Sequence, residues 1–270
     1  MFALASRCPG FTGRVVGRSD QSLERGLPQW AAVPTRLPSL RCPPIGFAHR
    51  GARANAPENT LEAFDLGLRL GATGLESDVW LTADGEAILD HDGVVRRGLR
   101  RHPIRSLVRA DLPDHMPTLA DLYRLAGPDV DLSLDVKDPE AFERVIEVAS
   151  AAGDTALNHL WLCHHETAQV VAWRQRNAAV RLVDSTFLGH MPEGPERRAA
   201  ELAGAGIDAV NLHHSEWSGG LVALFHRFGV LCFGWDAQHN RILDGLLDAG
   251  VDAVYSDHVD RMVDALSRAA

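Results

Sequence analysis

Four short segments of this sequence hold residues able to move protons and manage charge: His49-Arg50-Gly51, Glu76-Ser77-Asp78, His91-Asp92 and Asp135-Val136-Lys137. Two imidazoles can exchange protons on opposite sides of a reacting phosphate, which suits in-line displacement. A lone histidine is more often structural, so among 13 histidines the pairing of His49 with His91 counts for more than either alone. Beside His49, Arg50 offers a planar fork for phosphate oxygens, and Gly51 lets backbone approach closely. In an extended chain residues i and i+2 share a face, so Glu76 points with Asp78, and Asp135 with Lys137. Three carboxylates aimed into an interior are too costly as bare charges, because buried ions persist only when paired or when coordinating a metal. Oxygen donors without cysteine favour a hard ion, so one Mg²⁺ or Ca²⁺ on Glu76, Asp78 and Asp135 is expected. The competing reading is salt bridging on an exposed surface. Lys137 is the only lysine among 27 basic residues, so a compact ammonium there is a specific choice, suited to phosphate beside a metal.

These segments need a frame that gathers strand ends. From Ile45 onward, short apolar runs alternate with amphipathic stretches of helix length, the pattern of parallel strands joined by covering helices. Strands are expected over 45–49, 74–81, 129–137, 159–164, 179–184, 209–213, 230–235 and 253–256. Helices are expected over 60–70, 118–125, 140–152, 166–176, 195–203, 220–228, 240–249 and 259–269, with left-handed Gly71, Gly153, Gly229 and Gly250 closing four of them. The sum is an α/β fold, a (β/α)₈ TIM barrel, whose chemistry gathers at the carboxyl ends of its strands. A run over 87–91 after Asp84-Gly85 predicts a small hairpin insertion after the second strand. The Arg-rich stretch 94–109 carries no assigned role. Pairs His164-His165 and His213-His214 read as partly exposed rim residues outside the site. Trp173, Leu221, Leu224 and Phe228 read as core positions on helices.

Composition narrows the partners. The chain of 270 residues has 46% hydrophobic residues and a net charge of −9, enough for one barrel domain over 44–270 and poorly matched to nucleic acid or an anionic membrane surface. Residues 1–43 hold six Arg against two acids, interrupted by Pro, Gly and Ser, and read as a poorly ordered N-terminal extension. Cys8, Cys42, Cys163 and Cys232 show neither C-x-x-C spacing nor a histidine pairing of zinc-finger type, which predicts no disulfide framework or zinc staple and a reducing, cytoplasmic setting. No run of eighteen apolar residues is present, so no membrane insertion is expected. A homo-oligomer is compatible with the sequence, which offers no usable interface.

Taken in order, His49-Arg50-Gly51, Ala56-Pro57-Glu58-Asn59-Thr60, Ala63-Phe64, Gly74-Leu75-Glu76-Ser77-Asp78-Val79, Thr82-Ala83-Asp84-Gly85, His91-Asp92, Met116-Pro117-Thr118-Leu119, Leu134-Asp135-Val136-Lys137 and the closing Gly250-Val251-Asp252-Ala253 with Ser256-Asp257 resemble the glycerophosphodiester phosphodiesterase family over roughly residues 45–260. The resemblance implies His49 and His91 as the acid/base pair, Glu76, Asp78 and Asp135 as metal ligands, Arg50 and Lys137 as phosphate binders, and Trp235 as a wall of the substrate pocket. It implies a small phosphodiester substrate, attack by a substrate hydroxyl on phosphorus, and opening of a cyclic phosphate by water. Asn59-Thr60 is read as helix capping. Two departures stand out: Asp135 replaces the usual Glu, and Trp235-Asp236-Ala237-Gln238 replaces a pattern closer to Trp-Thr-Val-Asn. The same machinery could serve lysophospholipid or sphingolipid diesters, and weakened ligands could leave a noncatalytic phosphate-binding barrel.

Overall fold

The computed structural model describes residues 36–98 and 100–269. Eight strands run parallel: β1 (Ile45–His49), β2 (Gly74–Leu81), β6 (Asp131–Val136), β7 (Leu160–His164), β8 (Arg181–Ser185), β9 (Ala209–His213), β10 (Leu231–Trp235) and β11 (Ala253–Ser256). Each pairs with the next around the ring, and β1 bonds both β11 and β2, which closes the barrel. Helices α1 (Leu61–Arg69), α2 (Leu119–Ala126), α3 (Phe142–Ala152), α4 (Thr167–Arg176), α5 (Pro195–Ala205), α6 (Gly219–Arg227), α7 (Asn240–Asp248) and α8 (Val259–Ala269) cover it. The TIM barrel expected from the alternation is the fold observed. None of the described helices is long and apolar enough to cross a membrane.

Alternation along the strands makes two cores. Leu75, Val79, Leu132, Leu134 and Leu162 turn outward to the helices, while Phe47, Trp161, Phe233 and Tyr255 fill the barrel. Phe47 stacks on Tyr255 at 4.8 Å, and Trp161 meets Phe233 edge-on at 5.1 Å. Gly74 makes room for this layer, since a Cβ there would come within 2.6 Å of the Phe47 ring. Thr60 caps α1 by accepting from Ala63, and Thr118 forms a capping box with Asp121 at α2. Gly71, Gly229 and Gly250 are left-handed as expected. Gly153 is not: its φ of 161° is extended backbone, so that helix ends without a left-handed residue.

After β2, strand β3 (Ala87–Leu89) returns antiparallel, pairing Val79 with Leu89. The unassigned Arg-rich stretch forms a ribbon of β4 (Val94–Arg97) and β5 (Arg100–Pro103). Val95, Ile104, Leu107 and Leu112 anchor this excursion in a small apolar cluster against Trp80.

The amino ends of the strands are closed by the chain before β1. The expected extension over 1–43 lies outside the described residues up to position 35, whereas 36–43 dock on the barrel. Fully buried Asp252 organises them: its Oδ1 accepts from Ser39 Oγ at 2.7 Å and from the N–H groups of Leu40 and Arg41 at 2.7 and 2.9 Å. Its Oδ2 accepts from Cys232 N–H at 2.7 Å and lies 2.7 Å from His226 Nε2. Contrary to the expectation from cysteine spacing, Cys42 in this segment is disulfide-bonded, while Cys163 and Cys232 are free and buried. Spacing reveals local motifs and is blind to pairs that the fold assembles.

Asp252→Ala would strand several donors at once. The expected loss is about 3–5 kcal/mol, read as a lower urea midpoint at unchanged m value; a loss under about 1 kcal/mol would show that the clasp contributes little.

Candidate active site

The parallel register sets the site. His49 is the partner of Glu76 across β1–β2, and Asp78 is the partner of Asp135 across β2–β6. All four residues face the barrel mouth, where a cavity of about 540 Å³ opens. His49, Arg50, Glu76, Asp78, His91, Asp135, Lys137 and Trp235, every site residue expected from the sequence, line this one cavity. A second cavity of about 400 Å³ lies at the opposite end of the barrel around Arg41, Asp131 and Trp161, remote from these side chains.

His49 Nδ1 lies 2.5 Å from Asp257 Oδ1, and its Nε2 is 3.8 Å from Glu76 Oε2. Burial of the ring works to lower its pKa, but Glu76 and Asp257 outweigh it and hold the pKa above the ordinary 6.5. Burial would raise the Asp257 carboxyl; its bond to His49, with Arg53 nearby, instead holds it below the usual carboxylate range. Glu76 is 8% exposed, and burial, opposed by His49 and aided by Asp78, pushes its pKa up to about 7. Its Oε2 accepts from the Arg50 N–H at 3.0 Å, a contact made by an Arg50 backbone in the left-handed region at φ 52°.

The Arg50 guanidinium is not a free fork. Its Nη1 donates to both oxygens of Glu58, at 3.1 and 3.2 Å, and its Nε stands 3.4 Å from Asp78 Oδ2. That last approach has the distance of an ion pair without hydrogen-bond geometry, so Arg50 Nε and Asp78 Oδ2 are both buried and unbonded. Lys137 Nζ bonds Asp135 Oδ2 and reaches Asp78 Oδ1 at 3.1 Å. Burial pulls the ammonium pKa down, but the two carboxylates reverse this and raise it, so Lys137 stays charged.

His91 follows β3 in a turn tied by Asp90 Oδ2, which accepts from Gly93 N–H at 2.7 Å. The ring is 39% exposed, and its Nδ1 is 2.9 Å from Asp92 Oδ1, leaving Nε2 without a partner among the described residues. Trp235 stands across the mouth, edge-on to His213 at 4.7 Å and to Phe187 at 5.7 Å.

The expected metal ligands share the cavity without converging. Among the described residues, the trios of His, Cys or carboxylate groups whose ligand atoms lie within 4.8 Å of one another are His213-His214-Asp236 and His226-Cys232-Asp252. Glu76, Asp78 and Asp135 are not such a trio, because Lys137 stands between Asp78 and Asp135 while Glu76 turns to His49 and Arg50. Two observations nevertheless fit a hard cation: Asp78 Oδ2 lacks any hydrogen-bond partner, and Glu76 is under-compensated enough to hold a proton near neutrality. Sequence reasoning missed Asp257, although it follows β11 directly and the strand-end rule could have found it. Asn59 differs from its reading as a cap: left-handed at φ 55°, it accepts from Ser77 Oγ at 2.7 Å and ties the loop to β2. His164, read as rim, is buried at 3% exposure.

The sequence profile of the Glycerophosphoryl diester phosphodiesterase family matches residues 49–261. A glycerophosphodiester phosphodiesterase of Caldanaerobacter subterraneus is 22% identical over 255 residues, covering 82% of this chain and 97% of the relative. Among solved structures, the glycerophosphodiester phosphodiesterase of Thermotoga maritima superimposes with TM-score 0.70 at 21% identity, covering 82% and 97% of the two chains. An Oleispira antarctica phosphodiesterase in complex with the product sn-glycerol-3-phosphate also gives TM-score 0.70 at 21% identity, with coverage of 83% and 97%.

Glu76 carries a pH signature. A carboxyl raised from 4.5 to about 7 binds its proton more tightly folded than unfolded, so its contribution is full below pH 4.5 and is lost as pH rises through about 7. His49, also raised, acts in the same direction, its contribution fading as pH climbs through a folded pKa above 6.5. In metal-free protein, Glu76→Gln should remove up to about 3 kcal/mol of this decline in urea-measured stability; matching profiles for variant and parent would show that Glu76 titrates normally.

Proposed function

Because the chain belongs to the glycerophosphoryl diester phosphodiesterase family, we propose that it hydrolyses glycerophosphodiesters to glycerol 3-phosphate and an alcohol, with His49 and His91 exchanging the protons. The observation that carries this reading is the Asp257–His49–Glu76 chain opening onto the same cavity as His91. Asp257 fixes the His49 tautomer and holds a proton on the ring, the role a buried carboxylate plays beside a catalytic imidazole. His49 is therefore the donor to the departing alcohol. His91, with Nε2 free, takes the proton of the attacking substrate hydroxyl as its oxygen bonds phosphorus and the P–O bond to the alcohol breaks. Water then adds across the cyclic phosphate with the proton roles reversed, leaving one ester and one free hydroxyl.

Lys137 supplies positive charge where phosphate oxygens would lie. Arg50, held by Glu58, acts by shaping this wall as much as by its own fork. A divalent cation on Glu76, Asp78 and Asp135, Mg²⁺ or Ca²⁺ by the hardness of these donors, would offset charge on the transferred phosphoryl group. Asp135, one methylene shorter than Glu, bonds Lys137 directly. A second reading has an observation of its own: Phe187 is 42% exposed on the cavity wall beside Trp235, a surface suited to the apolar arm of a lysolipid diester.

His49→Ala and His91→Ala should each lower kcat by about 10²–10⁴-fold on glycerophosphocholine, followed as glycerol 3-phosphate release. Chelation should abolish turnover, and Mg²⁺ or Ca²⁺ should restore it. Residual turnover equal in both variants and parent would favour a noncatalytic barrel, and preference for lysolipid over soluble diester would select the second reading.

A further inference from the structure

Beside the cavity, where Trp235 and Asp236 form its wall, stands a cluster with different chemistry. At the end of β9, the His213 and His214 rings lie with centroids 4.2 Å apart at a tilt of 40°, and Asp236, just past β10, brings Oδ2 to 3.4 Å from His213 Nε2. One ligand atom from each of the three residues lies within 4.8 Å of both others. Asp236 adopts this position with φ at 61°, a left-handed backbone that costs a non-glycine residue energy and persists where surrounding structure enforces it. Its carboxylate has no Arg or Lys partner among the described residues; Gln238 at 3.1 Å and His213 are its contacts. The catalytic carboxylates, by contrast, are opposed by Arg50 and Lys137.

We propose that His213, His214 and Asp236 form a rim site for a borderline divalent cation of the Zn²⁺ class. Two imidazoles and one carboxylate are the donor set such ions prefer and that Mg²⁺ and Ca²⁺ do not. The trio is solvent-accessible, with His213 at 25% and Asp236 at 47% side-chain exposure, so an ion can enter from the mouth. It is a separate site and not half of a two-metal centre, because β9 stands across the eight-stranded ring from β2, which carries Glu76 and Asp78. The other convergent trio offers no comparable opening: both Asp252 oxygens are already saturated by backbone and side-chain partners, and Cys232 is buried. An ion at the rim would border Trp235 and the wall facing the catalytic histidines, narrowing the route for the alcohol side of a substrate.

The test is calorimetric titration of Zn²⁺ into the metal-stripped full chain with excess Mg²⁺ present, alongside long-range ¹H–¹⁵N spectra of the imidazoles. One equivalent should bind, with the His213 and His214 nitrogens shifting most. Asp236→Asn should weaken binding by more than about tenfold, His213→Gln/His214→Gln should abolish it, and Asp78→Asn should leave it intact. Uptake that survives the double substitution, or that is lost in Asp78→Asn or Cys232→Ala, would overturn the site. Should the double variant fail to fold by circular dichroism, the parent spectrum decides: unmoved His213 and His214 lines refute the proposal. None of these readouts requires turnover, so the outcome is independent of the hydrolase reading.

Discussion

Negative charge at the mouth of the barrel is the constraint around which the rest is arranged. Parallel pairing aligns His49 with Glu76 and Asp78 with Asp135, and strand alternation turns these side chains inward. Burial makes each uncompensated carboxylate expensive. The structure answers with Lys137 between two acids, the Arg50 N–H on Glu76 and a proton-rich His49 between Glu76 and Asp257. Compensation remains incomplete at Glu76 and at Asp78 Oδ2. Carboxylates saturated by protein cations would have nothing left to offer a metal ion, so the deficit is what keeps the proposed cation site chemically open.

The deficit is tolerable because stability comes from elsewhere. Aromatic packing of Phe47, Trp161, Phe233 and Tyr255 fills the barrel below the site, and aromatic contacts of this kind add to what burial alone contributes. At the amino ends of the strands, Asp252 satisfies backbone and side-chain donors of the docked segment and the barrel together. Strain is concentrated at the other end. Arg50, Asn59 and Asp236, the described non-glycine residues with positive φ, all sit in loops around the mouth, where the backbone is bent to aim an N–H, a side-chain acceptor or a carboxylate.

Strand and helix positions are legible in the sequence because a parallel barrel buries both faces of its strands, leaving apolar runs that amphipathic helices separate clearly. The side chains that line the candidate site are legible because a polar residue at the end of such a run has few other reasons to be there. What escapes is pairwise and long-range. Asp257 lies 208 positions from His49, and no local pattern announces that β11 will stand beside β1 until the ring is closed. Arg50 reads as a free phosphate fork, yet its nearest acids, Glu58 and Asp78, claim the guanidinium; only the fold shows that the helix-entry loop turns Glu58 back toward it. The Arg-rich ribbon is likewise opaque, since its Arg residues face each other across β4 and β5 while its anchoring depends on sparse apolar residues packed under Trp80.

The solitary lysine shows how composition and geometry inform one another. At position 137 the cation must reach two carboxylates on adjacent strands, Asp135 on β6 and Asp78 on β2. A guanidinium is best satisfied when its fork meets one carboxylate in a planar, bidentate pair; Arg50, divided between Glu58 through Nη1 alone and Asp78 facing its Nε, falls short of that geometry and leaves Nε unbonded. An ammonium is a point donor with three rotatable protons, able to bridge two acids and keep one direction open to the cavity. Lys137 holds Asp78 by a single 3.1 Å contact. A bridging ammonium, in a chain that otherwise uses arginine throughout, thus satisfies two strand-end carboxylates at once while the second oxygen of Asp78 stays unbonded.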